Sequence, residues 1–155
     1  MNQTSVPGLL AAGGFCAAFM AVFTWGFYGS MSGIPIAVSV TLWGMTVVCV
    51  ILARKVRGRV ERGEVGQDRS QLSPMTVAQF VVIAKASAWT GAIVGGAYLG
   101  IGVYVIPRVG QLTAASDDLP GVLASALGGI CLSLAGLYLE KQCETPPPTD
   151  GEAVG

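Results

Sequence analysis

The sequence predicts an all-α, polytopic membrane protein: four transmembrane helices in a compact bundle with both termini in the cytoplasm. Three observations lead there. The first 53 residues hold no Asp, Glu, Lys, Arg or His. The whole chain is 52% hydrophobic with a mean hydropathy of +0.63, too apolar for a water-soluble domain of 155 residues. Its apolar residues also fall into four runs, each near the ~20 residues that cross a hydrocarbon core about 30 Å thick.

The first run covers residues 8–28. A cleaved signal peptide is not expected there, because residues 1–8 carry no Lys or Arg and the run outlasts an h-region. Residues 29–33, with two glycines and two serines, form an uncharged turn, and Pro35 opens the second run at 35–53, proline being tolerated in a first helical turn. That run stops abruptly at Arg54 and Lys55. The segment 54–73 carries six basic and three acidic side chains and three glycines, which predicts a polar loop without a packed core. Ser73 followed by Pro74 reads as a helix start, and the third span is placed at 76–106, long enough for its first turns to lie outside the hydrocarbon. Asp118 then reads as the cap of a fourth span at 119–139 with Pro120 just inside it. Residues 1–140 thus form one transmembrane domain, and the acidic, proline-containing stretch 141–155 reads as a disordered cytoplasmic tail.

Orientation follows from the basic loop. Lys and Arg in short loops favour the cytoplasmic side, and 54–73 holds six against one in the other two connections. Four spans of the cell membrane then leave both termini in the cytoplasm. Arg54, Lys55, Arg57, Arg59 and Arg62 are candidates for contact with anionic headgroups, although the same residues equally serve as the topology signal.

Helices gain nothing in lipid by hiding apolar side chains from one another, so small residues are expected at their contacts. The third run offers Ala84, Ala88, Ala92, Gly96 and Gly100 at every fourth position, and Ser87, Gly91 and Gly95 beside them. Gly121, Ser125, Gly129 and Ser133 in the fourth run, and Gly13, Ala17 and Ala21 in the first, answer these. Tyr28, Tyr104 and Tyr138 fall where interfacial anchors belong, while Trp43 and Trp89 lie deeper and either face lipid or fill space opposite glycines.

Lys85 is the one charged residue inside an apolar run. With the hydrocarbon starting near Gln79 it lies about 9 Å deep at 1.5 Å per residue, within partial reach of the interface by snorkelling. Alternatively it pairs with Glu140 at the same end of the fourth helix, which would fix the register of the last two helices. Both readings stand on sequence alone.

The stretch IAKASA at 83–88, followed by Gly91, Gly95, Gly96 and Gly100, together with GLYLEKQC at 136–143 before Pro146 and Pro147, resembles a family of small four-helix membrane proteins of unknown function found mainly in high-GC Gram-positive bacteria. The resemblance implies the architecture and a bacterial membrane protein, and no mechanism.

No catalytic, cofactor-binding or metal-ligating constellation stands out: the chain has no His, and Cys16, Cys49, Cys131 and Cys143 lack ligand spacing and read as small hydrophobes. An enzyme is therefore not expected, nor a nucleic-acid partner. A scaffold or accessory subunit of a membrane complex is the favoured reading, with the bilayer, a second copy or another membrane protein as partner. The alternative is a small transporter or channel with Lys85 in its pathway.

Overall fold

The structure, a computed structural model, describes residues 4–30, 36–60, 62 and 74–143, and these are helical almost throughout. Helix α1 spans Val6–Phe27 and ends in a 3-10 turn at Tyr28–Ser30. Helix α2 covers Ile36–Val60, α3 covers Pro74–Val105 with a 3-10 turn at Ile106–Arg108, and α4 covers Thr113–Cys143. All four helices are long and apolar enough to cross a membrane. They point to a membrane location.

The expected spans shift at three ends, each for a visible reason. Helix α2 does not stop at residue 53 but runs on to Val60. Ser39, Leu42, Thr46, Cys49, Ala53 and Val56, spaced alternately three and four apart, are all buried. This heptad-like stripe passes straight through Arg54 and Lys55, whose side chains stay exposed on the opposite side. Part of the predicted loop 54–73 is therefore helix. Its remainder, residues 61 and 63–73 with the Ser73 cap, lies outside the described residues, as do 31–35 with Pro35.

Helix α4 starts at Thr113 and holds Pro120 inside it, so Asp118 is not its cap. The backbone winds up earlier. The amide of Leu112 donates to the Arg108 carbonyl at 3.0 Å, that of Ser116 to Leu112 at 3.3 Å, and the Ser116 hydroxyl to the Val109 carbonyl at 2.7 Å. Pro120, having no N–H, leaves the Ser116 carbonyl without its helical donor. At its other end α4 continues past residue 139 to Cys143, and the predicted tail beyond it, 144–155, lies outside the described residues.

The bundle is more open than predicted. Helices α3 and α4 form a central antiparallel pair, α1 packs on α3, α2 packs on α4, and α1 and α2 do not touch. Where α2 approaches α3, the Cys49 thiol and the Ser87 hydroxyl meet at 3.3 Å. The spatial order α1, α3, α4, α2 leaves the first and last members with one main neighbour each.

Small residues set this order. A Cβ on Gly91 would lie 2.6 Å from the Gly129 carbonyl oxygen, and one on Gly136 would lie 2.6 Å from the Ala88 nitrogen, so α3 and α4 meet backbone to backbone. On another side of α3, a Cβ on Gly96 would collide with the Gly13 carbonyl and one on Gly100 with that of Ala17. The ladder from Ala84 to Gly100 therefore serves two partners. A step of four residues overshoots the helical turn by about 40°, so the row winds around α3, facing α4 at Ala84 and Ala88 and α1 at Gly96 and Gly100.

Trp43 and Trp89 both sit opposite glycines. The Trp43 indole donates to the Ala124 carbonyl at 3.1 Å across Gly128, and the Trp89 ring edge lies 3.6 Å from where a Gly8 Cβ would stand.

Gly96→Val should lower stability in detergent by about 1–3 kcal/mol, since its methyls must displace α1 backbone. Gly44→Ala, at an exposed α2 position with nothing within 4 Å, should leave stability equal or slightly higher in the same unfolding titration.

Candidate functional site

The polar chemistry lies at the two ends of the bundle. At the end that carries the basic residues, Glu140 on the last turns of α4 is almost wholly buried, its side chain 8% exposed. Its Oε1 accepts the Thr4 backbone N–H at 2.9 Å and lies 3.6 Å from the Lys85 Nζ. One carboxylate thus fastens three elements: α4 that bears it, α3 through Lys85, and the residues leading into α1 through Thr4. The partially positive N-terminal end of α1 adds to the attraction. Val56, Ala84, Leu139 and Cys143 pack into one buried cluster around the same level, joining α2 to the group.

The pairing of Lys85 with Glu140 suggested by the sequence is what the geometry brings together. The part of Thr4 was not legible, because its amide lies 136 positions from Glu140 and sequence reasoning assigns a helix start to its local cap. Here that cap, Ser5, makes no side-chain bond to the helix.

At the opposite end the Tyr28 hydroxyl donates to Asp118 Oδ2 at 3.0 Å. The Tyr28 ring packs against Tyr104 with centroids 5.0 Å apart, and the Arg108 guanidinium covers the Tyr104 ring at 3.8 Å while donating to the Tyr104 carbonyl at 3.3 Å. Tyr28 and Tyr104 are thus fasteners of α1 to α3 and α4 as well as interfacial aromatics. Sequence reasoning missed Asp118 in this role because the pattern Asp-Leu-Pro reads locally as a helix start.

The two polar ends lie a hydrocarbon thickness apart. Glu140 and Asp118 are separated by about 33 Å along α4, and Lys85 and Arg108 by about 35 Å along α3, at 1.5 Å per residue. A bilayer core is about 30 Å thick. The candidate span of α3 begins at Met75, so Lys85 lies within the apolar helix, and its side chain is 34% exposed beside Glu140.

Arg54, Lys55 and Arg57 project into the open from the last turns of α2, Arg59 is half-buried, and Arg62 is exposed beyond the helix. They cluster at the Glu140 end, since Val56 among them packs in the cluster of Leu139.

Between the ends, α1 and α4 stand on either side of α3 without touching. A groove of about 350 Å³ remains, walled by α1 from Val6 to Ala17 and by Ile130, Leu134 and Leu137 of α4, with the glycines of α3 as its floor. Neither an acidic nor a basic side chain among the described residues lines it. Among the described residues no three His, Cys, Asp or Glu side chains are grouped to hold a metal ion, and the four cysteines are free thiols.

A family model described as a protein of unknown function (DUF3180) matches residues 9–147. No curated protein and no solved structure matches the chain.

Lys85→Leu should destabilise the protein by on the order of 1–2 kcal/mol in detergent unfolding, because it strips a buried carboxylate of its cation while part of the pair remains solvated. In a double-mutant cycle with Glu140→Leu the losses should be non-additive by at least about 0.5 kcal/mol. Tyr28→Phe should cost about 1 kcal/mol and leave the Lys85 cycle unchanged, the two sites lying at opposite ends.

Proposed function

Starting from the chain's membership of the DUF3180 family, we propose that it is a multi-pass plasma-membrane scaffold or accessory subunit, with its basic end and both termini in the cytoplasm. The observation that carries this reading is where the charged side chains are used. Lys85, Glu140 and Asp118 tie helices to one another at the two ends, and Arg108 covers the Tyr104 ring of its own helix. The stretch between these ends is closed by backbone contact of α3 with α4.

Such a framework holds a shape. Its exposed basic turn, with each Lys or Arg near an anionic surface worth about 1 kcal/mol, presents a positive face to headgroups or to an acidic partner. The reading involves no catalytic step and no cofactor. A transporter with Lys85 in its pathway is less well supported, because Lys85 is engaged by Glu140 and no further charged side chain follows it inward along α3 before Arg108.

Two measurements test this. Mild solubilisation and affinity capture of the full chain should return one partner in stoichiometric amount, and replacing Arg54, Lys55, Arg57 and Arg59 by Gln should weaken that recovery several-fold; recovery of the chain alone would contradict the reading. A single cysteine at Arg62, in a chain whose own cysteines are replaced by Ala, should resist membrane-impermeant thiol reagents in intact cells and react after permeabilisation.

A further inference from the structure

The groove between α1 and α4 has a definite length, a definite polarity and one polar end. It follows α1 from Val6 to Ala17, about 16 Å at 1.5 Å per residue. Half of a 30 Å hydrocarbon core, the depth of one leaflet, is about 15 Å. Its lining is almost entirely apolar, and its volume of about 350 Å³ falls at the small end of ligand pockets. Because α1 and α4 do not meet across it, it opens sideways to whatever surrounds the helices.

At Val6 and Leu137 the groove reaches the Glu140 end. Lys85, with its side chain 34% exposed, stands there beside the start of α1, whose Ser5 provides no side-chain cap for the first-turn N–H groups. Lys141 follows Glu140 directly and stands one helical turn beyond Leu137. Among the described residues Lys85 and Lys141 stand against the carboxylate of Glu140 where the groove ends, and a helix N-terminus favours an anion.

We infer that this groove is a binding site for one acyl chain of an anionic phospholipid from the leaflet at the basic end, the chain lying along α1 over the glycines of α3 and the phosphate resting by Lys85 and the start of α1. The inference does not depend on a scaffold role. It explains why Gly14 faces open space: nothing lies within 4 Å of where its Cβ would be. A larger side chain there would occupy the groove without pressing on α3.

The test uses the full chain in phosphatidylcholine vesicles doped with phosphatidylglycerol that bears a diazirine midway along one acyl chain. After photolysis, mass-spectrometric mapping should find Leu10, Leu134 and Leu137 labelled several-fold above Phe19 and Val22, which are exposed outside the groove. Gly14→Phe should bring Leu134 and Leu137 down to the Phe19 level with the melting temperature unchanged. Phosphatidylcholine carrying the same diazirine should label the groove several-fold less, and Lys85→Gln should erase that difference. Even labelling of all exposed apolar residues in the wild-type chain would overturn the inference. So would equal labelling by the two lipids, or a groove shielded from lipid because it crosslinks to a second copy.

Discussion

Close approach of backbone to backbone along α3 is the contact on which the rest of this structure depends. Inside a bilayer the surroundings are as apolar as a leucine side chain, so helices associate through van der Waals contact and backbone proximity, not by escaping water. Helix α3 meets that requirement twice. Gly91 and Gly95 admit α4 at Gly129, and Gly96 and Gly100 admit α1 at Gly13 and Ala17. Helix α2 joins by a different device, a stripe from Ser39 to Val56 laid against α4, with Trp43 hydrogen-bonded across Gly128. The order α1, α3, α4, α2 follows from which surfaces are small enough to admit a neighbour, not from the order of the helices in the chain.

Charge then fixes the height of the assembly. Glu140 with Lys85 and Thr4 closes one end, and Asp118 with Tyr28 closes the other. The interval of about 33 Å between the two acidic residues matches a bilayer core. With the Lys85 side chain 34% exposed, the ion pair keeps part of its hydration. Because Thr4 and Tyr28 fasten the two ends of α1 to α4 while α3 stands between the helices, the space between them is held open as a groove.

Much of this was legible in the sequence. The number and type of helices and the Gly and Ala ladders follow from local pattern and spacing, the likeness to a family of small membrane proteins rests on the residues at 83–100 and 136–143, and the meeting of Lys85 with Glu140 is one of two readings the sequence leaves open. What was missed needed knowledge of partners. The continuation of α2 through Arg54 and Lys55 was hidden because a hydropathy reading stops at charge, whereas the buried stripe runs along one face only. The early start of α4 was hidden because Asp118 and Pro120 mimic a helix start, whereas Asp118 accepts a hydrogen bond from Tyr28, 90 positions away. The open arrangement was hidden because a ladder of fourth residues looks like one face, yet winds far enough around the helix to meet two neighbours.

Spin-label distances in a bilayer report whether α3 carries both α1 and α4 while α1 and α2 stay apart. Labels at Val22, Val40, Val103 and Leu123, exposed positions in the half of each helix nearer the Asp118 end, report on all four helices without entering their contacts. The distance between the labels on α1 and α2 should be the longest of the six. A short α1 to α2 distance, as in a closed bundle where successive helices are neighbours, would contradict the account.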